Sequence, residues 1–160
     1  MNGIVIFYSW KGATERFARA ISDALSIGYR RLEETKERRG IWGFITASLD
    51  ALGDKCADLR NEAEDLELSS YDTVFIGGPV WASKPVPTLN TFLRDANLKG
   101  KKVVLFATYS QSGSQALFDN LAMKVEKCGA SVSLRWSVLE KETLDPHFAD
   151  RVKEMVKTLG

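Results

Sequence analysis

An apolar run, a short polar turn and a helical pattern follow one another within the first part of the chain. The run Gly3–Tyr8 is typical of a parallel strand that is buried on both faces. Apolar residues then recur from Phe17 to Leu25 at the spacing of one helix face. The turn between them, Ser9–Thr14, contains hydroxyls and a glycine. Because N–H groups of such a turn and of a helix N-terminus converge on one point, this arrangement predicts a phosphate site.

The rest of the chain alternates strands with helices, which predicts a single α/β domain over residues 1–160. Further strands are predicted at Ile27–Glu33, Asp72–Gly78, Lys102–Thr108 and Ser131–Val138. Helices are predicted at Glu15–Leu25, Pro87–Ala96, Gln115–Cys128 and from Asp145 to Leu159. The strands at 27–33 and 131–138 are polar enough for sheet edges, whereas the other two are apolar throughout. This alternation predicts a mainly parallel sheet with helices on both faces.

The segment 34–68 departs from the alternation and is predicted to be a helical insertion in this domain. Its part Ile41–Gly53 has apolar residues on roughly one face and ends in glycine, which predicts an amphipathic helix. Trp42 and Phe44 either pack as an extra core layer, cover a ligand or form an interface. Connections of this length are usually functional in compact domains, so we expect the segment to shape a site or a surface.

Composition limits the class of protein. A net charge of +1 gives no attraction to nucleic acid. No apolar run approaches the roughly 20 residues of a membrane-spanning helix. The first strand follows Asn2 without a signal pattern, so we expect a cytoplasmic protein without membrane insertion. Cys56 and Cys128 lie far apart without metal-ligand spacing, so we expect free thiols and no metal site.

Three loops are expected to meet at one edge of the sheet, because ligands of open parallel sheets bind beyond the carboxyl ends of the strands. We call them the phosphate loop (9–14), the second loop (78–85) and the third loop (109–114). The phosphate loop offers an anion cradle, and the second loop carries the large aromatic Trp81. The third loop supplies a glycine, hydroxyls and an amide. Together they predict a phosphorylated ligand with a flat, hydrogen-bonding ring system.

These loops resemble those of the flavodoxin family, whose members bind flavin mononucleotide (FMN). The phosphate loop matches the family pattern at Ser9, Gly12 and Thr14, and Gly77–Trp81 resembles the loop beside the isoalloxazine ring in one branch. The resemblance covers nearly the whole chain and implies a three-layer sandwich with a five-stranded parallel sheet of order 2-1-3-4-5. It also implies single-electron chemistry carried by the flavin, whose potentials the protein tunes.

The resemblance implies cofactor contacts for residues of all three loops. The phosphate loop would hold the phosphate, the second loop would lie near the ring, and the third would meet its pyrimidine edge. No catalytic acid, base or nucleophile is expected beside the loops. The residues expected to contact FMN are Ser9, Trp10, Lys11, Gly12, Ala13, Thr14, Gly78, Pro79, Val80, Trp81, Tyr109, Ser110, Gln111, Ser112 and Gly113.

Several of these side chains leave two interpretations open. Lys11 stands where the family commonly has a hydroxyl, and its ammonium either contacts the phosphate or points to solvent. Trp10 either covers the ribityl chain or packs on the surface, and Trp81 either contacts the ring or belongs to the core. Tyr109 either contacts the flavin or points back into the sheet. His147 is expected at the surface rather than in catalysis.

Three functions are compatible with the sequence. The leading one is a one-electron carrier whose redox partner proteins are a reductase and an acceptor enzyme. The second is an NAD(P)H-dependent FMN or quinone reductase, which the near-neutral charge and the long 34–68 segment favour. Flavodoxins are usually strongly acidic, so steering of partners by a uniform negative field is not expected here. The third is a binding module without cofactor. We expect a monomer or a weak homodimer.

Overall fold

A computed structural model of the chain describes residues 1–34, 53, 55–57, 59 and 67–159. The strands in these residues are β1 Gly3–Phe7, β2 Gly28–Arg31, β3 Thr73–Pro79, β4 Lys102–Tyr109 and β5 Ser131–Leu139. The α-helices are α1 Ala13–Leu25, α2 Pro87–Asp95, α3 Ser114–Lys127 and α4 Phe148–Val156. Two 3-10 helices span Glu140–Leu144 and Lys157–Leu159. The helix predicted at 41–53, with Trp42 and Phe44, lies outside the described residues apart from Gly53.

The sheet has the order β2-β1-β3-β4-β5, and every neighbouring pair is parallel. This confirms the predicted flavodoxin-like order and the two predicted edge strands. All of β2 is exposed, whereas β1 is buried throughout. The chain leaves β1 toward β2 on one side and continues from β3 toward β4 on the other. Strand order therefore reverses between β1 and β3, where ligands of such sheets bind.

Successive side chains of the central strands point to opposite faces of the sheet, and this divides the core into two apolar layers. Ile4 and Ile76 point to the layer covered by α2 and α3, whereas Val5 and Phe75 point to the layer covered by α1 and α4. A shift of one residue in register would exchange the side chains of these two layers, which pack against different helices. The prediction of helices on both faces of the sheet is confirmed.

The last helix begins later than its sequence signals predict. Asp145 and Pro146 were expected to start it, but α4 begins at Phe148 and a turn precedes it. In this turn Asp145 Oδ1 accepts a hydrogen bond from the His147 N–H at 2.8 Å, and Asp145 O accepts one from the Phe148 N–H at 2.9 Å. The aspartate therefore caps a turn that leads into the helix. His147 is exposed, as predicted.

Both cysteines are free thiols, as predicted. Cys56 is exposed, whereas Cys128 is half-buried and its Sγ donates to the Leu93 carbonyl at 3.0 Å. Burial raises the pKa of the Cys128 thiol. In the part of the chain that the structure describes, no helix is long and apolar enough to span a bilayer, and no cluster of metal-ligating side chains occurs.

Candidate functional site

The carboxyl ends of β1, β3 and β4 lie side by side because Phe7 is in register with Gly77, and Pro79 with Thr108. Parts of all three predicted loops therefore meet around one cavity of about 210 Å³. The cavity is lined by Ser9, Trp10, Lys11, Ala13, Thr14, Pro79, Val80, Trp81, Thr108, Ser110 and Glu140. The topology thus brings together residues from Ser9 to Glu140, which belong to four separate segments of the chain.

The phosphate loop presents backbone N–H groups that no described residue accepts. Ser9 Oγ accepts the N–H groups of Gly12 and Glu15, each at 3.2 Å, and this bends the loop into the first turn of α1. The N–H groups of Lys11, Ala13 and Thr14 have no hydrogen-bond partner among the described residues. Free N–H groups at a helix N-terminus form a concave anion site.

The backbone at Gly12 has φ 88° and ψ −10°, a left-handed conformation that favours glycine. A Cβ built on Gly12 would lie 3.2 Å from Arg16 Nη1. Any side chain here would therefore strain the backbone and crowd the guanidinium. Glycine is required because the chain must reverse between Ser9 and α1 while keeping its N–H groups convergent.

The edge strand β2 supports the phosphate loop from outside. Arg31 Nη2 donates to the Ser9 carbonyl at 2.8 Å, and Arg31 Nη1 donates to Glu15 Oε2 at 3.0 Å. Glu15 Oε1 also accepts from Arg19 at 2.9 Å, and this hydrogen bond contributes most to raising the pKa of Arg19. Two arginines thus engage Glu15, and one of them also fixes the loop backbone.

Thr108, which sequence analysis did not select, connects two of the loops. Its Oγ1 lies 2.7 Å from Thr14 Oγ1 in a buried hydrogen bond, and its carbonyl accepts the Val80 N–H at 2.9 Å. Thr108 is fully buried and also lines the cavity. The signal in the sequence is a hydroxyl residue near the carboxyl end of an otherwise apolar strand.

The second loop contains a strained tight turn. Lys84 N–H donates to the Trp81 carbonyl at 2.9 Å, and the two residues between them have positive φ, 49° at Ala82 and 60° at Ser83. Two positive φ angles are typical of a type I′ turn, which usually contains glycine or asparagine. Here alanine and serine occupy both positions, so the turn stores backbone strain.

An aromatic cluster forms one wall of the cavity. Trp81 is only 4% exposed and packs edge-on against Tyr8, at 5.7 Å between ring centroids, and against Trp10, at 5.8 Å. Trp81 thus belongs to the core and also lines the cavity, whereas its contact with a flavin ring stays a prediction. Trp10 is half-buried, and Lys11 Nζ lies 4.8 Å from its ring centroid. The ammonium therefore remains at the cavity wall.

Six of the predicted contact residues do not line this cavity. Gly78 is buried beneath α2, where a Cβ would lie 2.9 Å from Leu89 Cδ1, so its glycine serves close packing. Tyr109 ends β4 and is half-buried. Gly113 packs against the second loop, since a Cβ on it would lie 2.6 Å from Ser83 Oγ. The remaining three are Gly12, which shapes the phosphate loop, and the exposed Gln111 and Ser112.

Glu140 is a second residue that sequence analysis missed. It follows β5 and opens the 3-10 helix 140–144, and its carboxylate side chain is half-buried. Together with Lys11 it gives the cavity one acidic and one basic side chain. Its signal in the sequence is its place directly after a strand, because β5 ends at the same edge of the parallel sheet as the other strands.

These residues fit a phosphorylated flavin. The unpartnered N–H groups suit a phosphate, and the aromatic wall suits a flat ring. Pockets that enclose whole ligands of this kind usually measure about 300–1,000 Å³. The described cavity of about 210 Å³ therefore encloses part of such a molecule. His147 does not line it.

Comparison with known proteins agrees with this geometry. The family model described as Flavodoxin matches residues 46–143, which include the second and third loops and Glu140. No curated protein sequence matches the chain.

Solved structures share the fold over nearly the full chain. A Bacteroides uniformis protein assigned as a flavoprotein is 22% identical, with a TM-score of 0.79 over 98% of this chain and 97% of that one. A Lactobacillus acidophilus flavoprotein in complex with FMN is 20% identical, with a TM-score of 0.70 over 85% of this chain and 92% of its own. Two-electron reduced flavodoxin of Megasphaera elsdenii is 20% identical, with a TM-score of 0.62 over 95% of this chain and 96% of its own.

Proposed function

We propose that this chain, which belongs to the flavodoxin family, binds FMN in the described cavity and transfers single electrons between redox partner proteins. The resemblance identified in the sequence is confirmed by the family match, and FMN is the cofactor of that family. The one-electron role, the site residues and the partners are our proposal. The observation that most supports it is the phosphate loop, whose free N–H groups face a cavity with an aromatic wall.

The phosphate loop offers donors of two kinds. The free N–H groups of Lys11, Ala13 and Thr14 would donate to phosphate oxygens. Ser9 Oγ already accepts two N–H groups, so its own hydroxyl hydrogen remains available to donate. In the Thr14–Thr108 pair one hydroxyl donates to the other, which leaves one hydrogen for a ligand. Backbone and hydroxyl donors would thus satisfy the phosphate.

The second loop supplies the wall against which a ring would lie. Pro79, Val80 and Trp81 line the cavity there, and Ser110 lines it from the third loop. When bound, FMN supplies the redox chemistry, and the role of the chain is to orient the cofactor and exclude water from its buried side. Because Trp81 is held edge-on by two other aromatic rings, this wall is rigid.

An anaerobic redox titration of the FMN-loaded protein tests the proposal. Visible spectra recorded during stepwise reduction are expected to resolve two separate one-electron steps. A single concerted two-electron step, together with rapid NAD(P)H oxidation by the purified protein and a quinone, would instead support the reductase. A colourless protein that does not take up added FMN would contradict both functions.

A further inference from the structure

Arg16 lies beside the phosphate loop without an acidic partner among the described residues. Its Nε donates to Thr143 Oγ1 at 3.1 Å, and its Nη1 lies 3.2 Å from where a Cβ on Gly12 would be. Arg19 and Arg31, by contrast, are both bound to Glu15. Arg16 is half-buried, so its charge is less hydrated than that of an exposed arginine. An uncompensated, partly buried cation beside an anion site points to an anionic ligand.

Two partly buried hydrogen bonds hold the Arg16 side chain in place. Thr143, which accepts from its Nε, is only 5% exposed and donates in turn to the Glu140 carbonyl at 2.7 Å. The guanidinium is therefore held between α1 and the 3-10 helix 140–144. A charge held in this way acts on a ligand without a cost for reordering the side chain.

Positive charge predominates around the phosphate loop. Lys11 at the cavity wall and Arg16 behind Gly12 are both positive, and the N-terminus of α1 adds partial positive charge. Arg31 and Glu15 form an ion pair on the outer side of the loop, at 3.0 Å. Glu140 is the carboxylate that lines the same cavity. The local field therefore favours a dianionic phosphate, and Glu140 opposes it.

We propose that Arg16 is a specificity-determining residue that, together with Lys11, makes the phosphate loop select phosphorylated over unphosphorylated flavin by charge. Arg16 does not line the cavity, so its positive charge would attract the phosphate across the loop without touching it. The inference rests on the proposed FMN binding and extends it. Because riboflavin carries the same ring without the phosphate, comparing the two ligands isolates the charge effect.

The test measures dissociation constants of FMN and riboflavin for the full-length apoprotein by flavin fluorescence. In Arg16→Gln, the FMN constant is expected to rise about five- to tenfold at low salt, whereas the riboflavin constant stays unchanged. Arg16→Lys, which keeps the charge, is expected to retain most of the FMN affinity. Glu140→Gln is expected to raise the preference for FMN over riboflavin, because it removes the opposing charge.

Arg94→Gln is the matched control. Arg94 lies in the last turn of α2, which runs away from the site, and it pairs with the neighbouring Asp95. This variant removes the same charge from the distant end of the sheet, so both ligands should bind as they do to the wild type.

A wild-type measurement tests the inference without any variant. FMN binding should weaken as sodium chloride is added, and riboflavin binding should not, because salt screens the charge on the phosphate. Equal loss of both ligands in Arg16→Gln, or FMN binding that is insensitive to salt, would overturn the inference while leaving FMN binding intact. A wild-type protein that binds neither flavin would overturn the proposed function itself.

Discussion

The phosphate loop and the second loop form two ends of one site, but their backbones differ in strain. The phosphate loop adopts its positive φ at Gly12, whereas the second loop adopts positive φ at Ala82 and Ser83. The backbone of the phosphate loop is therefore unstrained, and Arg31 stabilises it from outside by donating to the Ser9 carbonyl. The second loop is strained by roughly 1–2 kcal/mol per left-handed residue. Such strain persists only where the surroundings impose it, here through the buried Trp81.

The largest expected effect comes from a substitution in the third loop that pushes the second loop away. Gly113→Ala places a Cβ at a φ of 97° and within 2.6 Å of Ser83 Oγ. We expect a loss of about 2–4 kcal/mol in the free energy of unfolding, since backbone strain and overlap add. Urea denaturation measures it. Ser83→Gly should raise the unfolding free energy more in the Gly113→Ala background than in the wild type, because there it also removes the overlap with the new Cβ. An equal gain in the two backgrounds would show that the two loops are not in contact.

The next effect concerns the hydroxyl pair that joins the phosphate loop to the carboxyl end of β4. Thr108→Val leaves Thr14 Oγ1 buried without its partner at 2.7 Å, which should lower unfolding free energy by about 1–3 kcal/mol. Thr108→Ser keeps the hydroxyl and should lose less. Chemical denaturation of both variants checks this, and equal stability of Thr108→Val and wild type would contradict it.

Moving strain into the phosphate loop gives a smaller loss of stability. Gly12→Ala should lower the unfolding free energy by about 1–2 kcal/mol and weaken FMN binding. Gly100→Ala is the control, because Gly100 also has positive φ, 76°, but no atom within 4 Å of a built Cβ. Both variants should lose similar stability, and only Gly12→Ala should lose FMN affinity. Equal FMN affinity in the two variants would argue against the phosphate site.

The smallest expected effect is a gain in stability. Ala82→Gly relieves one positive φ of 49° and should raise the unfolding free energy by up to about 1 kcal/mol. Ala116→Gly, at an exposed position in α3, should instead lower it by about 0.5–1 kcal/mol. Thermal melts of the two variants should therefore shift in opposite directions. Shifts in the same direction would mean that the turn is not strained.

Sequence patterns predicted which strands are central and which lie at an edge, because each strand is either uniformly apolar or polar enough for an edge, and the resemblance to the flavodoxin family implied their order. The patterns also predicted the phosphate loop, since its hydroxyls and glycine follow one another locally. Thr108 and Glu140 were missed because their importance arises only when the carboxyl ends of β4 and β5 are placed at the same edge of the sheet as that of β1. The strain at Ala82 was equally hidden, because neither alanine nor serine signals a positive φ. A single hydroxyl or carboxylate at a strand end is a weak signal until the sheet topology shows which segments lie near it.

The buried bond between Thr14 and Thr108 also bears on how the chain folds. The two residues are 94 positions apart, so the bond forms only after β1, β3 and β4 have assembled in register. Contacts of such long sequence separation are slow to form, because the entropy of closing the intervening chain is lost before they contribute. The cavity is therefore complete only when the centre of the sheet has assembled. We expect the cofactor to bind this assembled state and to shift the folding equilibrium toward it.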